Sequence, residues 1–230
     1  MKTVGIIGGM GPETTAKFYL DLIFKCYKVN KEKRPPILIW NVPLKYKIEQ
    51  DFIEKGTGKD KYLPYLTKAA QSLEKGGADF LVIPCNTVHV MINEVRKSVG
   101  IPVLSIVEET ENFLRDKKFK KFGILATALL LRRKLYNESL EKSRFKIVEP
   151  SAKDQERLGK IIRKIVITEH ADREKSELIK IIWNLTKNGS DAIILACTDL
   201  QLVIKQKDIP VPIFDTMDIL VDATVREILK

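Results

Sequence analysis

Short apolar runs alternate with longer amphipathic stretches along the chain. The short runs predict strands, and apolar positions that recur every three or four residues predict helices. The predicted strands cover residues 3–7, 37–40, 80–83, 103–106, 122–125, 145–148, 193–195 and 211–214. The predicted helices cover residues 12–28, 61–75, 88–99, 130–142, 158–166, 175–187 and 216–229, with a helical run over 200–205. This alternation is typical of βαβ units around parallel sheets, so the predicted fold class is α/β.

The same order of signals begins again near the middle of the chain. Residues 4–8 (VGIIG) match residues 122–126 (FGILA), and residues 77–86 (GADFLVIPCN) match residues 189–198 (GSDAIILACT). Such an internal match predicts a duplication. We therefore expect two pseudo-symmetric domains, each with a mainly parallel sheet flanked by helices.

Each half carries a cysteine just after a predicted buried strand. Cys85 and Cys197 occupy the same place in the repeat, and each precedes a pair of polar residues and a predicted helical run. Ligands of open α/β sheets bind beyond the carboxyl ends of the strands. A cleft between the two halves could therefore be lined by both cysteines at once.

Two opposed thiols suit the inversion of a carbon stereocentre. A thiol has an unperturbed pKa of about 8.5 and ionises more readily near a helix N-terminus. One thiolate would remove a proton from one face of the carbon, and the other thiol would supply a proton to the opposite face. Backbone N–H groups and polar side chains of Asn86, Thr87, Thr127 and Thr198 could hold a carboxylate and the charge of a carbanion-like intermediate. The alternative is that both cysteines pack as small apolar residues, as Cys26 does on its predicted helix face.

Composition and charge exclude several other classes of protein. Hydrophobic residues make up 44% of the chain and charged residues 30%, which is a globular profile, and no apolar run reaches the ~20 residues of a membrane-spanning helix. An odd number of cysteines, three, favours a reducing compartment, so we expect a cytoplasmic protein. The formal net charge is +10, but no recognised nucleic-acid motif accompanies it, so we expect no nucleic-acid partner.

The residues also argue against a cofactor or a metal. The glycines of residues 5–11 suggest a dinucleotide loop, but Thr14 replaces the third glycine and Asn41 stands where an acid would bind ribose. Cys85, His89 and Cys197 lack a recognisable zinc-ligand spacing. His89 could instead form a thiolate–imidazole pair with Cys85, four residues earlier, although a packed histidine is the simpler interpretation.

Four motifs give the chain a specific resemblance. Residues 5–12 (GIIGGMGP), 84–87 (PCNT), 196–199 (ACTD) and 214–218 (FDTMD) closely resemble the aspartate/glutamate racemase family, in order and over almost the whole chain. The resemblance implies an amino-acid racemase that works without pyridoxal phosphate or another cofactor, usually as a homodimer. It implies one domain of residues 1–103 plus 208–230 and a second of residues 104–207.

The resemblance also implies roles for individual residues. The two catalytic cysteines of the family correspond to Cys85 and Cys197. The implied substrate contacts are Met10, Gly11, Asn41, Asn86, Thr87, Thr127 and Thr198.

Two positions depart from the family pattern. Ile48 and Ile167 stand where the family has an arginine and a lysine for the substrate's side-chain carboxylate, and the nearest cations are Lys45, Lys47, Arg163 and Lys164. A buried carboxylate without a cation is strongly destabilised. We therefore expect weak activity on aspartate and better turnover of amino acids with less charged side chains.

Two other functions remain open from the sequence. One is a thiol-dependent isomerase or decarboxylase of a small dicarboxylate, although that chemistry tends to need a single cysteine. The other is a non-catalytic protein that binds small acids or nucleotides on the same fold.

Overall fold

The architecture is known from a computed structural model, which describes residues 1–142, 145–166 and 172–230. The strands are β1 (Val4–Gly8), β2 (Ile37–Asn41), β3 (Phe80–Val82), β4 (Val103–Leu104), β5 (Lys121–Leu125), β6 (Lys146–Val148), β7 (Ala192–Leu195) and β8 (Ile213–Asp215). The α-helices are α1 (Pro12–Val29), α2 (Tyr46–Gln50), α3 (Lys59–Lys75), α4 (Ile92–Lys97), α5 (Ile106–Arg115), α6 (Ala128–Arg132), α7 (Leu135–Lys142), α8 (Ala152–Val166), α9 (Asp172–Lys187) and α10 (Thr216–Ile228). A π-helical turn covers Asp51–Lys55, and 3-10 turns cover Thr87–Met91, Leu200–Leu202 and Gln206–Asp208.

Within the described residues the strands form two parallel sheets of four strands each. Their orders are β2-β1-β3-β4 and β6-β5-β7-β8, and every neighbouring pair is parallel. The chain divides into unit 1, Met1–Glu109 with Met217–Lys230, and unit 2, Thr110–Thr216. Each unit therefore contains one complete sheet, and the predicted α/β class with two pseudo-symmetric sheets is confirmed.

A glycine in the first strand of each sheet allows a helix to pack closely on the sheet. A Cβ added at Gly5 would lie 3.1 Å from Cβ of Leu73 on α3, and one added at Gly123 would lie 3.1 Å from Cβ of Leu185 on α9. Each added Cβ would also lie within 2.7 Å of a side chain on the neighbouring strand, Leu81 or Ile193. Gly5 pairs with Leu81 within the first sheet, and Gly123 pairs with Ile193 at the same place in the second sheet. The sequence repeat is therefore also a repeat of register and packing.

An aspartate fastens the start of the third strand in the same way in both units. The Asp79 carboxylate accepts a hydrogen bond from Thr3 N–H at 2.6 Å, and the Asp79 N–H donates to the Thr3 carbonyl at 2.8 Å. Asp191 and Lys121 make the same two contacts in unit 2, at 3.2 and 2.8 Å. Because these bonds set the register of β1 against β3 and of β5 against β7, they fix where the chain leaves each sheet.

The structure corrects several predicted elements. The predicted strand over 103–106 ends at Leu104, and Ile106 begins α5, which the sequence reading missed. Ser105 precedes this helix, and its hydroxyl accepts a hydrogen bond from Glu108 N–H at 3.4 Å, which is typical of an N-cap. The predicted helix 130–142 is two helices separated near Lys134, which has a φ of 50°.

Two further expectations need adjustment. The predicted helix 88–99 begins as a 3-10 turn and becomes α-helical only at Ile92. The helical run expected over 200–205 is one short 3-10 turn. None of the described helices combines the length and apolar character needed to cross a bilayer.

Candidate active site

The predicted site residues of unit 1 lie at one edge of its sheet. Gly8 pairs with Asn41 at the ends of β1 and β2, and the next sheet neighbour, β3, leads into Cys85. Parallel strands end at the same edge, so Asn41, the loop containing Met10 and Gly11, and Cys85 leave the sheet side by side. Cys85 is partly exposed.

The loop that follows β1 is held by Thr15. Gly9 N–H donates to the Thr15 hydroxyl at 2.9 Å, and that hydroxyl donates to the Gly11 carbonyl at 3.0 Å. Gly9 has a φ of 92°, and a Cβ there would lie 2.7 Å from Oδ1 of Asn41. Only glycine combines that backbone conformation with so close an approach. Met10, Gly11 and Asn41 are therefore fixed beside one another.

His89 holds the turn after Cys85 through the backbone. Its Nδ1 lies 2.7 Å from the Cys85 carbonyl oxygen, and its Nε2 accepts a hydrogen bond from Ile106 N–H at 3.1 Å. Burial lowers the pKa of His89 to about 4. His89 is thus a neutral imidazole, and each of its two ring nitrogens is hydrogen-bonded to a backbone group. His89 is a packed residue that orients the Cys85 turn, and it does not act as a base for the thiol.

Asn86 and Thr87 form the start of that turn and are almost fully buried, at 1% and 5% exposure. Their position after β3 places polar groups directly beside Cys85. This is the position in which the sequence predicted contacts to a substrate carboxylate.

Tyr62 is a neighbour of Cys85 that the sequence reading missed. Burial raises the pKa of the Tyr62 phenol well above its usual value, and negative charge on Cys85 and on Glu49 raises it further. Glu49 belongs to α2. On α3, Tyr62 occupies a buried helix position, and its spacing therefore indicates core packing rather than a place near a thiol.

The predicted site residues of unit 2 lie at the corresponding edge of its sheet. Thr127 follows β5 and caps α6, because its hydroxyl accepts a hydrogen bond from Leu130 N–H at 3.3 Å. Cys197 follows β7 and is buried, with 6% of its surface exposed. Thr198 comes next and is 2% exposed. Ala196, just before the cysteine, donates its N–H to the Leu125 carbonyl at 2.9 Å, which ties this turn to the end of β5.

A carboxylate lies beside the second cysteine. The sulfur of Cys197 is 3.6 Å from Oδ2 of Asp199, within the distance of a hydrogen bond from thiol to carboxylate. Asp199 is 8% exposed. The sequence reading placed Asp199 in a motif but gave it no role. The matching position in unit 1 is Thr87.

Gln155 lies at the same edge and was also missed. It belongs to the first turn of α8, and its Nε2 donates to the Ala126 carbonyl at 3.0 Å. Its Oε1 is buried and has no hydrogen-bond partner among the described residues. A glutamine early in an amphipathic helix carries no sequence signal for such a contact.

The structure describes one of the two positions that are expected to determine specificity. Ile48 is a partly buried residue of α2, and Ile167 lies outside the described residues. Lys47 pairs with Asp51 at 3.1 Å. Lys164 pairs with the buried carboxylate of Glu174 at 2.5 Å. These two lysines, considered above as substitutes for the missing cations, are thus already engaged within their own units.

The other two candidate cations, Lys45 and Arg163, belong to the start of α2 and to the last turn of α8. Across the residues that the structure describes, no three His, Cys, Asp or Glu side chains cluster closely enough to share a metal ion.

The parallel sheets, the repeat and the paired cysteine turns define a two-domain α/β protein with a matched cysteine turn at the same edge of each sheet. The sequence profile of the Asp/Glu/Hydantoin racemase family matches residues 7–224. The chain therefore belongs to this family.

Individual relatives agree with this assignment. The chain is 28% identical to the broad specificity amino-acid racemase RacX of Bacillus subtilis (strain 168), over 98% of each chain. An aspartate racemase homologue from Pyrococcus horikoshii OT3 superposes with a TM-score of 0.81 at 26% identity, over 100% of both chains. The Picrophilus torridus aspartate racemase shares the fold, with a TM-score of 0.85 at 24% identity, covering 100% of this chain and 95% of that one.

Proposed function

We propose that the protein is a cofactor-independent amino-acid racemase in which Cys85 and Cys197 form the acid/base pair. The observation that carries the proposal is their matched placement. Each cysteine follows the third strand of its sheet, beside the loop that leaves the first strand. In each sheet the second strand in chain order lies on one side of the first strand, and the third strand lies on the other side. The first and third strands therefore border the crevice where open α/β sheets bind ligands.

The proposed reaction transfers one proton off Cα and one proton onto it. With Cys85 as thiolate and Cys197 as thiol, Cys85 takes the Cα proton and the electron pair of the C–H bond stays on the substrate. Cys197 then delivers its proton to the opposite face. The product leaves with Cys85 as thiol and Cys197 as thiolate, which is the state that the other enantiomer requires. One active site therefore works in both directions.

The carbanion-like intermediate needs hydrogen-bond donors at the substrate carboxylate. We assign this role to groups of Asn86 and Thr87 in unit 1 and of Thr127 and Thr198 in unit 2. They are buried and adjacent to the cysteine turns. Met10, Gly11 and Asn41 complete the proposed substrate contacts from the β1 edge.

We further propose that aspartate is a poor substrate. Ile48 offers no charge to a side-chain carboxylate, and Lys47 and Lys164 are paired with acids of their own units. The similarity to RacX, a broad specificity amino-acid racemase, supports a wider range of substrate amino acids. Better turnover is expected for amino acids with uncharged or weakly charged side chains.

The site is proposed to act on free amino acids in the cytoplasm, within a homodimer and without a nucleic-acid or membrane partner. The family resemblance supports the homodimer, and the odd number of cysteines supports a reducing compartment. Light scattering on the purified protein measures the oligomeric state directly, and a mass near the monomer's 26.3 kDa would contradict the dimer.

The function is tested by incubating each of the twenty amino acids with the protein in D₂O. Racemisation through Cα deprotonation incorporates deuterium at Cα and produces the opposite enantiomer. A decarboxylase or an isomerase acting elsewhere on a dicarboxylate would release carbon dioxide or rearrange its substrate. A non-catalytic binder would leave every Cα proton in place. The Cys85→Ala/Cys197→Ala double variant measures the background. Absence of exchange above that background for every amino acid would refute the proposal.

A further inference from the structure

We propose that Gln155 binds the substrate, with its side-chain carbonyl oxygen accepting a hydrogen bond from an N–H or O–H group of the amino acid. The inference deepens the proposed function and rests on it for the identity of the ligand. The observations behind it all belong to unit 2.

The place of Gln155 in the fold is the first part of the argument. The helix α8 follows β6, so its first turn lies at the carboxyl edge of the sheet. Gln155 reaches from there to Ala126, the residue directly after β5 and directly before Thr127. The strand β5 lies between β6 and β7, so the chain passes from β5 to β6 on one side and then to β7 on the other side. Ligand-binding crevices open at such a reversal of strand order.

The orientation of the amide is the second part. Only the nitrogen of a glutamine side chain can donate a hydrogen bond, so the 3.0 Å contact with the Ala126 carbonyl identifies Nε2. The other end, Oε1, is then held away from that carbonyl. It is buried and has no donor among the described residues. A buried acceptor without a donor destabilises a fold, and a ligand that brings a donor removes that cost.

Ser190 provides the contrast within the same unit. Its hydroxyl is the other buried polar side-chain atom that has no partner in the described part of the chain. It lies at the amino edge of the sheet, where its oxygen is 3.1 Å from the position of a Cβ on Gly123. Alanine, at Ala78, fills the matching place in unit 1. Ser190 is therefore a packing position, whereas Gln155 is at the edge where ligands bind.

The chemistry of the oxygen limits what it can bind. A neutral carbonyl oxygen attracts N–H and O–H donors and repels a carboxylate. An amino acid offers such donors on its α-ammonium group, and some amino acids offer more on the side chain. Both groups are hydrogen-bond donors. If the α-ammonium group is the donor, the contribution of Gln155 to affinity is the same for every amino acid. If the side chain is the donor, the contribution is limited to amino acids whose side chains carry an N–H or O–H group.

The experiment compares equilibrium dissociation constants measured by calorimetry for the intact protein and for Gln155→Met. Methionine keeps the length of the side chain but removes both the Oε1 acceptor and the Nε2 donor to the Ala126 carbonyl, so Gln155→Glu, which loses the donor and keeps an acceptor, is measured beside it. The ligands are alanine and leucine, which have only the α-ammonium donor, and lysine and serine, which add a side-chain donor. Ser190→Ala is the matched control, since it removes a buried polar atom without a partner from the same unit at the opposite edge.

A hydrogen bond to a charged donor predicts a dissociation constant about tenfold or more higher in Gln155→Met. An increase for all four ligands identifies the α-ammonium group as the donor, and an increase for lysine and serine alone identifies the side chain. Gln155→Glu retains an acceptor and is expected to bind more tightly than Gln155→Met. Constants within twofold of the unaltered protein for all four ligands, as expected for Ser190→Ala, would overturn the inference.

Thermal unfolding and deuterium exchange separate this inference from simpler outcomes. A purely structural Gln155 would lower the melting temperature of Gln155→Met and leave the dissociation constants unchanged, which contradicts the inference. Exchange at Cα that persists while Gln155→Met binds normally would leave the racemase proposal standing and the Gln155 inference refuted. Binding that depends on Gln155, without exchange at Cα for any amino acid, would support the Gln155 inference and refute the racemase proposal.

Discussion

The two units share a backbone plan but surround their cysteines differently. The register of the sheets, the packed glycines and the aspartates that fasten the third strands match between the units. Cys85 is partly exposed and followed by Asn86 and Thr87, whereas Cys197 is buried and has the Asp199 carboxylate 3.6 Å from its sulfur. The duplication has thus kept the backbone that positions each thiol and changed the polar groups beside it. A racemase needs two opposed proton carriers, but they need not be equal.

A second difference concerns how each cysteine turn is held. In unit 1, His89 contacts the Cys85 carbonyl through Nδ1. Gln201 stands at the matching position in unit 2 and donates to the Thr198 carbonyl at 3.0 Å. Both side chains are buried and both bind the backbone of the turn. Only the histidine can be protonated, so the two equivalent supports differ in their response to pH.

The largest expected effect comes from removing either thiol. In the proposed mechanism each cysteine serves one face of Cα, so Cys85→Ala and Cys197→Ala are each expected to lower the rate of racemisation about 10²–10⁴-fold. Chiral chromatography of the product measures this rate. Each variant retains one proton carrier and can still exchange the Cα proton of one enantiomer with solvent.

Cys26→Ala is the control for that prediction. Cys26 lies buried on α1, away from the sheet edge that carries Cys85. Its loss is expected to weaken packing while leaving the rate of racemisation near that of the unaltered protein. Near-full activity of either Cys85→Ala or Cys197→Ala would show that a two-thiol mechanism is wrong.

The second effect is on the pH dependence of stability. Burial holds the pKa of His89 at about 4, below the 6.5 of an exposed histidine. Between these values the unfolded chain binds a proton that the folded chain does not, so the stabilising contribution is complete above pH 6.5 and is lost as the pH falls through 4. The loss amounts to about 3 kcal/mol. His89→Gln, which copies the support of unit 2, is expected to remove this part of the pH dependence.

Urea unfolding of both proteins at pH 7 and at pH 4 measures the difference. Carboxylates such as Glu94 and Glu227, whose pKa values are lowered by their lysine partners, also lose stabilising charge in acid. They contribute equally to both proteins, so the change between the two pH values isolates His89. Equal losses in the two proteins would mean that His89 is not buried in its neutral form.

The third effect tests whether the packing of the units is equivalent. Gly5→Ala places a methyl group against Leu81, Ala78 and Leu73, and Gly123→Ala makes the corresponding contacts in unit 2. Each substitution is expected to lower the free energy of unfolding by about 1–3 kcal/mol. Gly159→Ala, in α8 with no atom within 4 Å of the new methyl group, is expected to stabilise by roughly 0.5–1 kcal/mol. A cost in one unit alone would show that the packing has diverged.

Most of this comparison could be predicted from the sequence. Buried parallel strands are continuous apolar runs and the repeat doubles the signal, so both sheets and both cysteine turns were predicted. The helix α5 was missed because Pro102 and the apolar residues after it resemble a continuing strand, and its start depends on the Ser105 cap.

The polar neighbours of the thiols were less accessible to sequence reasoning. Tyr62 and Gln155 approach the sheet edges from helices that are distant in sequence, and both occupy positions that the helical pattern assigns to packing or to solvent. Asp199 was visible in the motif. Its effect on Cys197 depends on a distance between side chains, which a spacing of two residues does not determine.

The smallest expected effect is on the balance between the two directions of the reaction. Because Asp199 disfavours negative charge on Cys197, the resting protein is expected to carry its proton on Cys197 and to use Cys85 as the base. Enantiomers have equal free energies, so kcat/KM must be the same in both directions, and the bias can appear only in kcat and KM separately. Asp199→Asn is expected to change the ratio of the two kcat values several-fold, on the order of 1 kcal/mol. Asp191→Asn, at the opposite edge of the same sheet, should leave that ratio unaltered. Progress curves from each pure enantiomer supply both constants, and an unchanged ratio in Asp199→Asn would show that the carboxylate does not distinguish the two thiols.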